Sequence, residues 1–119
     1  MNTMSRLVFT AALAALSSVA YSACDYPSRI DIPRGTDATK EDMLEGSKAI
    51  KAYMNEMNAY LDCLESENEN AGVEGEAAEI TEQRNALFTK RYNAAVEEME
   101  SQANEFNVQV RAYKAKGSE

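Results

Sequence analysis

No histidine occurs in the 119 residues, which removes at once the commonest general base and the commonest metal ligand. Nor does the chain carry a Gly-rich phosphate loop or a nucleophile elbow. Its two cysteines have better uses than catalysis, so the sequence reads as a non-enzyme with no catalytic, cofactor-binding or metal-ligating residues. Positive charge is scarce: 12 Lys and Arg stand against 20 Asp and Glu, a net charge of −8. Such a balance repels phosphate backbones and anionic lipid headgroups, which argues against nucleic acid and peripheral membrane binding. Long apolar runs are missing as well. The run "LVFTAALAAL" is about half of the roughly twenty residues that a membrane-spanning helix needs.

That run has the place and flanks of an export signal. "MNTMSR" before it carries one cation and no acid, and "SSVAYSA" after it offers small residues to a signal peptidase. Residues 1–23 are therefore expected to be a signal peptide, cut after Ala20 or after Ala23. Ser18 and Ala20 fit the small-x-small rule for the first site, whereas the second puts bulky Tyr21 in it. Loss of the leader takes Arg6 and leaves the chain one unit more negative. The expected location is periplasmic or secreted.

Cys24 then has two uses. It sits where a bacterial lipobox places its acylated cysteine, behind Ser22 and Ala23, although Tyr21 stands where an aliphatic residue is usual. An acylated Cys24 would tether the protein to a membrane and leave Cys63 a lone thiol in an oxidising compartment. A Cys24–Cys63 disulfide leaves no thiol over, and this parity favours the bridge.

Between the cysteines a helix begins. Thr39 with Asp42 three residues on forms a capping box with a shortened acid. Met43, Ser47, Ile50, Met54, Met57, Leu61 and Leu64 follow at alternating four- and three-residue steps, a heptad seam. Ala49, Tyr53, Tyr60 and Cys63 form a second stripe beside it, which asks for a further cover. Glu65, Glu67 and Glu69 crowd the negative end of this helix, so it is expected over 39–66, with an acidic turn over 67–75 folding back near Gly72. A second helix is expected over 76–115, with Tyr92, Val96, Met99, Ala103, Phe106, Val110 and Tyr113 as its seam. Folded about Gly72, the seams pair Leu64 with Ile80, Leu61 with Arg84, Met57 with Leu87 and Ile50 with Ala95.

The fold class is thus all-α: an antiparallel, coiled-coil-like two-helix hairpin over 39–116, with an extended N-terminal strap over 24–38 tied by a disulfide. Thr39 to Cys63 spans about 36 Å of helix. The 15 residues from Cys24 to Thr39 reach about 50 Å when extended. Pro27 and Pro33 favour that extension, and Tyr26, Ile30 and Ile32 would cover the tyrosine stripe.

Two charged clusters resemble sites without completing one. Glu65, Glu67, Glu69 and Glu76 fall at positions one, three, five and twelve of a calcium loop, but Asn70 occupies the sixth position, where Gly is required. Arg84, Lys90 and Arg91 could hold an anion, yet Glu79, Glu82, Glu97 and Glu98 surround them and make surface ion pairs the simpler account. Met43, Met54, Met57 and Met99 suit a narrow core or an adaptable surface. The best candidate for interaction is a C-terminal stripe of Phe106, Val108, Val110 and Tyr113. In the expected register Phe106 lies level with the start of the first helix and Val108, Val110 and Tyr113 extend past it, which points to a homo-oligomer or an envelope protein partner.

The segments "CDYPSRIDIP", "ATKEDM", "AYLDCLE" and "KRYNAAVEEME…FNVQVRAYK" together resemble a group of small exported proteins of Gram-negative bacteria that have no established activity. The resemblance spans nearly the whole chain after the leader and implies export and this architecture. Function is then expected to be that of a binding or assembly module of the cell envelope, or alternatively of a lipid-anchored structural envelope protein acylated at Cys24.

Overall fold

The computed structural model describes residues 24–117, and the expected signal peptide lies outside them. They form two α-helices packed against each other, α1 at Lys40–Asn70 and α2 at Ala78–Lys116, with no strand among the described residues. The capping box forms as read. The Thr39 hydroxyl accepts from the Asp42 amide at 3.2 Å, and the Thr39 amide donates to Asp42 Oδ2 at 2.8 Å.

Residues 24–38 lie along the hairpin as an irregular strap with one turn at 35–37. A disulfide joins Cys24 to Cys63, with the Cα atoms 5.8 Å apart. Helix α1 is therefore covered on two sides. Eight of its residues are buried, among them Tyr53, Met57 and Leu64 at 1 % exposure or less, whereas α2 buries only Ala95 and Gln102. The second apolar stripe of α1 explains the difference. Ile50, Met57 and Leu64 face α2, while Tyr53 and Tyr60 turn toward the strap, where Tyr26 meets Tyr60 edge-on at 5.0 Å.

Helix α1 does not stop at its glutamates. It continues through Asn70, and the connection shrinks to 71–77, where Gly75 takes φ +80° in open space. Contacts from α2 hold the extra turn: Arg91 lies 3.7 Å from Glu67, and Asn68 donates to Asn85 at 3.4 Å. The longer helix moves the reversal past Gly72 and shifts the pairing by about two helical turns. Leu64 accordingly borders Arg84, Leu87 and Phe88, and the expected partner Ile80 is exposed. Leu87 is exposed too, and Phe88 takes the core-facing place.

Helix α2 begins without a side-chain cap at Ala77. The Thr81 hydroxyl donates to Glu76 at 2.9 Å and Arg84 Nη1 donates to the same carboxylate at 2.7 Å, so the connection is clasped to the first two turns of α2. These hydrogen bonds, Arg84 first, hold the Glu76 carboxyl below its ordinary pKa of 4.5.

Candidate functional site

The strap divides the hairpin into two unlike faces. On the strapped face, Arg29 reaches from the strap to α2. Its Nε lies 3.0 Å from Glu98 Oε1 and its Nη2 3.9 Å from Glu105. With the Gln102 amide oriented by its partners, its oxygen accepts from Arg29 Nη2 at 2.8 Å and Nε at 3.0 Å. Gln102 is buried to 1 % exposure, so this guanidinium satisfies a polar group set inside the protein. Burial first, and then the Glu98 carboxylate, raises the Tyr53 hydroxyl above its ordinary pKa of 10.0.

At one end of the strap the Glu67 carboxylate lies 3.1 Å from Cys24 Sγ. A disulfide sulfur carries no hydrogen, so this is a contact and not a hydrogen bond. At the other end the Gly35 amide donates to Gln109 Oε1 at 2.8 Å, and Lys116 Nζ donates to the Ala38 carbonyl at 2.6 Å. The approach is close enough that a Cβ on Gly35 would stand 2.0 Å from the Gln109 carbonyl oxygen. Pro33 packs on Gly46, and Phe106 reaches the same glycine.

This end of the strap alters the surroundings of the expected C-terminal stripe. The strap turn lies over α2 at Gln109 and Tyr113. Phe106 is packed against the core, Val110 and Tyr113 are half-buried, and Val108 is 48 % exposed. The four residues do not form one uncovered patch, because the shifted register sets this part of α2 beside α1 and the strap instead of beyond them.

On the face without the strap lies a groove of about 340 Å³, lined by Met54, Asn58, Leu61, Val96, Met99, Glu100 and Ala103. Met54 and Leu61 each follow a strap-facing tyrosine by one residue, a turn of about 100° around the helix, which carries them to the open side. The arrangement suits an apolar side-chain row better than a small molecule, because the groove is open and holds one charged residue. Sequence reasoning assigned Met54, Leu61, Val96, Met99 and Ala103 to the seam, but it neither separated them from its covered side nor singled out Asn58 and Glu100. The signal was present in the extra stripe of α1, whose cover had to lie to one side.

Glu65, Glu67 and Glu69 lie within α1 and not in a loop, and no group of three His, Cys, Asp or Glu is placed to hold a metal among the described residues. Arg84 and Arg91 are paired with Glu76 and Glu67. No helix among the described residues is long and apolar enough to cross a membrane. Comparison with protein-family models, curated proteins and solved structures finds no match to this chain.

Proposed function

We propose that this chain is a small non-enzymatic helical-hairpin protein of the periplasm or the secreted fraction, acting as a binding or assembly module of the cell envelope. The observation that carries this reading is a covalently strapped hairpin whose open face is an apolar groove between the helices. A partly buried apolar row along a covalently strapped support is a surface for protein association. The leader-like N-terminus and the disulfide support an oxidising compartment outside the cytoplasm. The absence of histidine supports a role without catalysis. Acylation of Cys24 competes with the bridge for a single sulfur, so the disulfide weighs against the lipid-anchored alternative.

The test is site-specific photocrosslinking in the host from position 99, with position 56 on the strapped side as the control. A discrete adduct from 99, absent from 56 and lost when Met54→Glu is added, is expected. Adducts from both positions alike, or from neither, would sink the reading.

A further inference from the structure

We infer that the groove on the strap-free face docks a second copy of this chain, the two hairpins packing as a four-helix bundle about a two-fold axis parallel to their length. The inference rests on the assembly reading above and names its partner.

Charge is the first reason. The chain carries net charge −8, so two copies repel unless they meet through a face poor in acids. Acids line the strapped face more densely than the groove. The hollows of the strapped face hold Asp31, Asp42 and Glu45 at one end and Asp25 and Glu56 at the other, with Glu98 and Glu105 beside Arg29. The groove has one acid, Glu100.

Register is the second. Gly46 meets Phe106 and Asn68 meets Asn85, and between these two fixed points Lys51 stands level with Glu100 on the opposite helix. Lys51 precedes the groove residue Asn58 by seven positions, so it lies on the same helical face at the groove's rim. Neither Lys51 nor Glu100 has an ion-pair partner among the described residues. A two-fold axis along the hairpin lays α1 of one copy on α2 of the other at the same level. Lys51 then meets Glu100 of the second copy, and symmetry makes the contact twice. The same rotation sets Met54 against Met99. Every neighbouring pair of helices in this bundle is antiparallel, the arrangement that helix dipoles favour.

The other face-to-face packing has its axis across the hairpin and sets α2 on α2 about the groove's centre. It brings the two Glu100 side chains toward each other within an apolar seam, which like charges oppose.

Sedimentation equilibrium of the oxidised protein, from about 1 to about 100 μM, tests the inference. The unaltered protein is expected to dimerise. Lys51→Glu and Glu100→Lys should each weaken the dimer by about tenfold or more, since each turns two attractions into two repulsions. The double charge swap should restore it. Far-UV circular dichroism of each variant separates lost association from lost folding, and the swap rescues only a specific contact. A monomer across the range overturns the inference, as does a dimer indifferent to the single changes or one the swap fails to restore. A monomer that still gives the specific adduct from position 99 leaves the assembly reading standing with another partner, whereas loss of both sinks both.

Discussion

Single side chains and single missing side chains decide how the strap sits. Gly35 has no room for a Cβ, because the atoms it would strike are backbone atoms of α2. Gly35→Ala is expected to lift the 35–37 turn, break its bond to Gln109 and cost roughly 1–3 kcal/mol in urea unfolding. Gly75→Ala strains the connection through its positive φ and should leave the strap in place. Arg29 is the other decisive residue. Arg29→Ala would strand the buried Gln102 amide oxygen and the Glu98 carboxylate, a loss of about 1–3 kcal/mol that should appear as a fall of several degrees in Tm. Neither role was visible in the sequence. A glycine required by a contact 74 residues away looks like any other loop glycine. Gln102 lies between the seam residues Met99 and Ala103, off the heptad steps that marked positions for burial. Phe106 teaches the same lesson: it was read into the interaction stripe, but it is partly buried and packs against the core, so Phe106→Glu would destabilise this end of the hairpin and would not report on partners alone.

At the scale of the elements, the start of α1 was more legible than its end. The Thr39–Asp42 box fixed the beginning of α1 because its chemistry is local. The end of α1 was misplaced by four residues because three glutamates at a helix C-terminus are unfavourable locally, and the contacts that offset them, Arg91 with Glu67 and Asn68 with Asn85, come from the other helix. Since hairpin register follows from where the first helix stops, that local error displaced every expected cross-helix pair. The two-stripe pattern of α1, the strap and the disulfide were legible because each rested on spacing or parity alone. The clasp on the connection gives an acid-side prediction. Glu76 has a folded-state pKa below 4.5, so its contribution to stability is present above pH 4.5 and is lost as pH falls through the depressed value. Asp42, held below its ordinary 3.8 by the Thr39 amide and hydroxyl, acts in the same direction. Thermal melts from pH 6 to pH 2 should therefore show a falling Tm below about pH 4.5, with a shallower fall in Glu76→Gln.

At the scale of the whole molecule, two helices and a strap make a thin core, and the bridge supplies much of what such a core lacks. Its sequence separation of 39 residues corresponds on the chain-entropy model to a stabilisation of up to about 4 kcal/mol. Reduction, or Cys24→Ser with Cys63→Ser, should lower Tm by more than any single substitution named above, and the two treatments should agree. Intact mass of the protein from its host should be short by two hydrogens, with two alkylation sites only after reduction; acyl mass on Cys24 would contradict the bridge. The placement of that bridge also sets an order in time. Both cysteines and every strap residue precede the second helix in the chain, so all the residues of the covalent ring are present once residue 63 has emerged, before any of α2 is available. A chain delivered from its N-terminus can thus be oxidised while half-made, and α2 arrives last, closing onto a face of α1 whose strap is already fastened.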